Sequence, residues 1–300
     1  LEGIAHNARD VDFAMRWGFG WSQGPFETWQ AAGWKAIAEA VRDDIAAGKA
    51  MCDAPLPAWV FARDGVHAAE GSYSASANAL QPRSTLPVYQ RQIFPERVLG
   101  EKAVQGETIW ENAGVRLWKL PQLDAEIGIL SVTSRNHTLG RDVILGVQEA
   151  VARAEKDLKG VVIWHEAPFA FGANLKEVTE GLAAKNFDLL DEYVGEFQKA
   201  SMCFKYAKVP VVAAVQGMAL GGGCEFLMHC DKRVIALESY IGLVEAGVGL
   251  IPAGGGCKEF AIRAADWAAQ SATPGEVMNY LQPVFMTIAM AKVAKSAAEV

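Results

Sequence analysis

Two glutamates lie in stretches of sequence that otherwise read as buried: Glu225 in ALGGGCEFLMHCD and Glu245 in YIGLVEAGVGLIPAGGG. Charged side chains are almost never fully buried unless something holds them there. Gly221, Gly222 and Gly223 precede the first glutamate, and a second glycine-rich turn follows the other. Glycines leave backbone N–H groups uncovered. A pair of carboxylates beside bare N–H donors is equipped for acid/base chemistry, one group accepting a proton and the other giving one, with the donors holding a developing oxyanion.

The elements that must position these groups can be read from the local pattern. Residues 209–215 form a strand, Gln216 and Gly217 turn it, and the glycines at 221–223 open a helix running through Phe226 and Met228. The first N–H groups of a helix have no internal partner, and the helix dipole favours negative charge beside them. An oxyanion would therefore sit against the Gly222 N–H. A second loop of the same kind is FAFGANLKE, 169–177, which follows the buried strand GVVIWHE and places Gly172 and Ala173 next to a helix start. Two such loops aim two N–H groups at one carbonyl oxygen.

Farther out, the chain divides into three regions. Residues 1–50 read as helical, with Asp10 as N-cap of the first helix, a second helix over 25–32 and a third over 35–45. Residues 51–105 carry Pro55, Pro57, Pro82, Pro87 and Pro95 and read as a connector with short strands. From residue 106 strands and helices alternate: GVRLWKL and GILSVTS as paired strands, GRDVILGVQEAVARAEKD and FDLLDEYVGEFQKASMCFKYA as helices, and KRVIALES as a further strand. That is an α/β rhythm.

Composition and motif spacing narrow the function. A net charge of −7 does not suit a general nucleic-acid binder. No stretch reads as long and apolar enough for a membrane span, and residues 1–13 are not expected to act as a secretory leader. The five cysteines form no C-x-x-C pair, so reduced thiols and a cytoplasmic location are expected. The five histidines show no metal-ligand spacing, so no metal is expected, and there is no G-x-S-x-G elbow. GFGWSQG at 18–24 misses the dinucleotide-loop spacing by one position and follows a helix rather than a strand. The chain begins at Leu1 and ends inside a helical pattern, as a piece of a longer polypeptide would.

The motifs from 115 onward resemble the crotonase (enoyl-CoA hydratase/isomerase) superfamily. KVPVVAAVQGMALGGGCEFLMHCD is similar to its most specific stretch, YIGLVEAGVGLIPAGGG to the next, and FAFGANLKE to its first oxyanion loop. The resemblance implies a crotonase-like β-β-α spiral over 106–300, incomplete at its C-terminus. It implies an oxyanion hole made by the N–H groups of Ala173 and Gly222, with Gly172, Lys176 and Gly221 around a CoA thioester. Glu225 would activate the water that adds to Cβ, and Glu245 would supply the proton to Cα. Keeping both glutamates favours hydration over Δ3,Δ2-enoyl-CoA isomerisation; a non-catalytic acyl-CoA-binding module is a further alternative. Asn174 departs from the family's usual Asp, as do Val244 and Ala253 from its Pro and Gly. DVDFAMRWGFGWSQGPFETWQAAG resembles the helical end of 3-hydroxyacyl-CoA dehydrogenases. Together the two resemblances imply a fragment of a bifunctional fatty-acid β-oxidation enzyme. No cofactor would serve the hydratase step, NAD would belong to the dehydrogenase part outside the fragment, and the assembly would be a homo-oligomer, trimer or dimer.

Overall fold

The computed structural model describes residue 1, residues 3–272 and residues 275–300. The chain divides into two compact units, Leu1–Gln105 and Gly106–Val300.

The first unit begins with three helices: α1 (Ala8–Phe19), α2 (Pro25–Ala31) and α3 (Trp34–Ala46). Asn7 caps α1, accepting the Asp10 N–H, so the cap stands three residues before the expected Asp10. Asp10 instead fills the first turn, where negative charge also suits the dipole. A short α4 (Ala58–Phe61), the antiparallel strands β1 (His67–Ala68), β2 (Gly71–Ser74) and β3 (Ala79–Gln81), and a short α5 (Pro87–Gln90) follow. Trp34, Ala38, Val60, Val66 and Tyr73 share one core with Ala8, so the helices and the 51–105 segment pack as one body. Buried Asp12 accepts the N–H groups of Phe26 and Glu27 at 2.8 and 3.1 Å and meets His67 Nε2 at 2.6 Å, while Ser72 Oγ lies 2.9 Å from His67 Nδ1. Hydroxyl, imidazole and carboxylate line up as in a nucleophilic triad. All three are buried, and Asp12 is engaged in capping α2, so the row joins elements and offers no nucleophile to solvent. The GFGWSQG segment closes α1, with Gly20 left-handed at its C-cap, and Gly24 opens α2. No strand leads into it.

The second unit is built on a six-stranded sheet ordered β10-β8-β7-β6-β5-β4. Its first three strands, β4 (Glu107–Glu111), β5 (Val115–Leu120) and β6 (Asp124–Val132), form an antiparallel meander. Then β7 (Gly160–Ile163), β8 (Val211–Val215) and β10 (Lys232–Ile235) add in parallel through helical crossovers. The crossovers are α6 (Arg141–Asp157), the pair α7 (Leu175–Ala183) and α8 (Phe187–Lys205), and α9 (Gly222–His229). Strands covered by helices read as short apolar runs, as VVI and VVAAV do. A small second sheet joins β9 (Met218–Leu220) in parallel to β11 (Tyr240–Gly242), which pairs antiparallel with β12 (Val293–Ala294). Two helices, α10 (Gly256–Ala269) and α11 (Met278–Ala289), pack on one another.

The core lies between the sheet and its helices. Val115, Leu117, Leu130, Val161, Ile163, Val211 and Ala213 meet Val143, Val147, Ala150 and Phe204. Phe226 of α9 packs between Phe197 and Phe204 of α8, with ring centroids 5.3 and 5.1 Å away. That clamp fixes the height and rotation of α9, the helix that carries Glu225.

Candidate active site

The 169–177 loop is tied to the rest of the unit on both sides. Ala170 bridges Ala219, with Ala170 N–H to Met218 O at 3.0 Å and Leu220 N–H to Ala170 O at 2.9 Å. Farther along, Leu139 donates its N–H to Gly172 O at 2.8 Å and accepts from Asn174 N–H at 3.3 Å. The Gly172 carbonyl and the Ala173 N–H belong to one planar trans peptide and point in opposite directions. Anchoring the carbonyl on Leu139 therefore turns the Ala173 N–H the other way. The same logic applies at Gly222, because the preceding carbonyl, of Gly221, accepts the Glu225 N–H at 3.0 Å and so directs the Gly222 N–H out of the helix start. Among the described residues, neither N–H has a partner within the protein.

Glycine is required where these loops meet. Gly172 has φ +86°, and a Cβ there would stand 3.2 Å from Gly222 N and 3.0 Å from Leu220 O. Gly221, the N-cap of α9, has φ +53°, and a Cβ there would stand 3.1 Å from Glu245 Oε1. At Gly222 a Cβ would strike Phe197 at 2.5 Å.

Glu225 sits on the first turn of α9, only 3 % exposed. Its Oε1 accepts the Gly256 N–H at 2.8 Å, and a Cβ at Gly254 would lie 2.5 Å from its Oε2. The AGGG turn thus forms a backbone cradle for the carboxyl. Burial raises the carboxyl to about 7; the N–H groups of residues 254–256 work against that rise, and the neighbouring Glu245 adds to it. Glu245 starts a 3-10 turn, Glu245–Val248, is half-buried, and is likewise raised by burial. Its Oε2 is buried without a hydrogen-bond partner among the described residues. Negative charge on Glu245 thus favours the protonated form of Glu225.

The fold thus gathers Ala173, Gly222, Gly172, Gly221, Glu225 and Glu245 from three segments, the 169–177 loop, the start of α9 and the Glu245–Val248 turn. Lys176 lies apart, with its side chain out in solvent on α7 and its ammonium 3.8 Å from Glu180. Cys224, beside Glu225, is held at about 12 by burial and stays a thiol. Among the described residues no His, Cys, Asp and Glu group is arranged to hold a metal ion, and no helix is long and apolar enough to cross a membrane. Sequence reasoning misses the Gly256 N–H as a partner of Glu225 and Leu139 as the anchor of the first loop. The GGG after Glu245 is a visible sign of the former; Leu139 is an ordinary apolar residue with no sign at all.

Residues 127–273 match the family model described as enoyl-CoA hydratase/isomerase. Over its full length the chain is 33 % identical to a probable 3-hydroxyacyl-CoA dehydrogenase of Bacillus subtilis, covering 36 % of that protein. It is 28 % identical to a putative fatty acid oxidation complex trifunctional enzyme of Rickettsia felis, over 88 % of this chain and 32 % of that protein. The chain spans about a third of the length of these curated relatives. Among solved structures, an enoyl-CoA hydratase from Thermoplasma volcanium superposes with a TM-score of 0.51 at 16 % identity, over 63 % of this chain and 68 % of that one. The second unit therefore has the mixed α/β crotonase fold.

Proposed function

We propose that the crotonase-superfamily domain carried by this chain is a 2-enoyl-CoA hydratase. The observation that carries the reading is the buried, unpartnered Glu245 Oε2, on a carboxyl whose other oxygen lies beside Gly221, at the helix start that also carries the cradled Glu225 and the Gly222 N–H. A carboxyl oxygen in that position needs a proton of its own or a partner from the substrate.

In this reading the thioester carbonyl of a trans-2-enoyl-CoA accepts the Ala173 and Gly222 N–H groups. Glu225, ionised and steadied by the 254–256 turn, takes a proton from water as the water oxygen bonds to Cβ. The C=C electron pair moves toward the thioester oxygen, giving an enolate that the two donors stabilise. Protonated Glu245 then delivers its proton to Cα on the same face, restoring the carbonyl and leaving the 3-hydroxyacyl-CoA. The proton on Glu225 returns to Glu245 through solvent. Losing one donor of this kind typically raises a barrier by ~2.7–4 kcal/mol. Gly172 and Gly221 let the thioester approach the backbone, and Lys176 would meet the CoA phosphates from the solvent side.

The names of the relatives support a wider proposal, that the longer polypeptide also oxidises the product with NAD in fatty-acid β-oxidation. The residues present here do not fit NAD: the 18–24 segment links two helices, and no step is assigned to the cofactor. The test is hydration of crotonyl-CoA by the chain, with Glu225→Gln and Glu245→Gln beside it. A 3-enoyl-CoA offered in parallel separates hydration from double-bond migration.

A further inference from the structure

His229, at the end of α9, is buried, and the proposed chemistry does not use it. Its Nδ1 lies 2.6 Å from Glu225 O and its Nε2 3.0 Å from Lys258 Nζ. A carbonyl can only accept, and an ammonium can only donate. Nδ1 therefore carries the ring proton, and Nε2 accepts from Lys258. Burial keeps the imidazole below its ordinary range, so the ring is neutral, as that pattern requires. Lys258, on the first turn of α10, also donates to Glu259 Oε1 at 2.8 Å, and Lys205 of α8 donates to the same oxygen at 2.6 Å. Glu259 is buried, so a continuous row of polar groups runs from the Glu225 carbonyl through α10 to α8. The edge of the ring meets the 254–256 turn. Gly255 has φ +129°, and a Cβ there would stand 2.5 Å from His229 Cε1 and 2.8 Å from Nε2. One residue earlier, a Cβ at Gly254 would collide with Phe197. The cradle of the Glu225 carboxyl is thus bounded by the His229 and Phe197 rings.

We infer that His229 is a positioning residue for the proposed base: held by Lys258, its ring fixes residue 255 and so keeps the Gly256 N–H on Glu225; the inference rests on the hydratase reading of the same site. The Gly255–Gly256 peptide joins the residue that the ring touches to the N–H that Glu225 Oε1 accepts at 2.8 Å. The carbonyl of the same planar unit accepts the Glu259 N–H at 2.9 Å, which ties the peptide to the helix that carries Lys258. The Nδ1 bond alone would leave the ring a pivot, and the Nε2 bond to Lys258 removes it. A ring free to turn would release residue 255, lengthen the bond to Glu225 and leave the ionised carboxyl less stabilised. The titratable groups around Glu225 are Cys224 on its own helix, Glu245 on the 3-10 turn and Cys257 on α10; around His229 they are Lys258 and Glu259 of α10 and Lys205 of α8. Replacing the neutral ring by a neutral amide alters none of those charges. Amides also separate the two ring nitrogens. Glutamine reaches the position of Nε2 and can accept from Lys258, whereas asparagine ends at the depth of Nδ1 and cannot.

The experiment compares the 300-residue chain with His229→Gln, His229→Asn, Lys258→Met and the double variant of the last two. Two quantities are read: kcat and KM for crotonyl-CoA hydration across pH, and the infrared carboxyl band of Glu225, identified by its absence in Glu225→Gln, which titrates without turnover. The inference expects His229→Asn to lower kcat by roughly 10–100-fold with KM within about twofold, and to move the acid limb of kcat and the carboxyl midpoint to higher pH by about half a unit or more. His229→Gln should stay within about threefold of the parent, with its midpoint in place. The Lys258 side chain is partly exposed, so Lys258→Met spares the core; it should resemble His229→Asn, and the double variant should be little worse than either single, because both break one contact. An active parent in which His229→Asn leaves kcat and the midpoint unmoved overturns the inference, as does a His229→Gln no better than His229→Asn, or a double variant whose loss is the product of the singles. If the parent shows no hydration, the hydratase reading has failed, and the infrared midpoint decides alone: a midpoint raised in His229→Asn and restored in His229→Gln supports the positioning role, and one raised equally in both, or unmoved in both, overturns it.

Discussion

Glu225 is a buried carboxyl whose environment is divided against itself. Burial lifts it to about 7, and the Gly256 N–H holds its charged form. Its folded-state value lies above its ordinary 4.5, so between those values the folded protein binds more protons than the unfolded chain. The stabilisation is complete below about 4.5 and is lost as pH rises through about 7. Glu225→Gln removes that dependence. Urea titrations at pH 5 and pH 8 should show the variant gaining on the parent at the higher pH, with the difference limited to about 3 kcal/mol by the size of the shift. In the proposed mechanism the same titration governs rate, because Glu225 must be ionised to take a proton from water. Hydration should fall as pH drops below about 7, and each Gln variant should lower kcat by roughly 10²–10⁴-fold. The two glutamates are legible in the sequence because a charge among apolar residues and glycines is conspicuous. Their electrostatics are not, since the cradle at 254–256 lies far along the chain from Glu225 and meets it only after folding.

The elements act as jigs for backbone donors. A strand that ends in glycine and turns into a helix is visible in sequence, and both proposed oxyanion loops stand out for that reason. What holds the first peptide at its angle is hidden: Leu139 and Tyr193 are contributed by other elements and carry no local pattern. Short-range capping is also ambiguous, as Asn7 and Asp10 show, because both residue types favour the first turn. The contact between the two loops gives a direct test. Alanine at Gly172 would need a left-handed backbone that L side chains resist and would set a methyl group 3.2 Å from Gly222 N. Gly172→Ala should retain its circular-dichroism spectrum while hydration falls by about 10²–10³-fold, the loss expected for one oxyanion donor. Retention of parental kcat would remove Gly222 from the oxyanion hole.

On the scale of the molecule, every proposed catalytic and oxyanion residue falls within Gly106–Val300, which has a core of its own. Residues 106–300 expressed alone should therefore fold and hydrate crotonyl-CoA within several-fold of the full chain. An insoluble or inactive product, with the full chain active, would assign Leu1–Gln105 a part in the site. The α/β layout of this unit is readable from strand–helix alternation, whereas the single core uniting the helices with the 51–105 segment is not, because it depends on scattered residues such as Trp34, Val60 and Tyr73. The central claim is that two buried glutamates and two backbone donors add water to an enoyl thioester. Its most direct test follows the loss of conjugated-thioester absorbance when crotonyl-CoA is given to the 300-residue chain, to Glu225→Gln and to Glu245→Gln. Turnover by the parent with a loss of at least about 100-fold in each variant is the expected result; near-parental rates in both variants, or a parent that moves the double bond of a 3-enoyl-CoA without hydrating crotonyl-CoA, would contradict it.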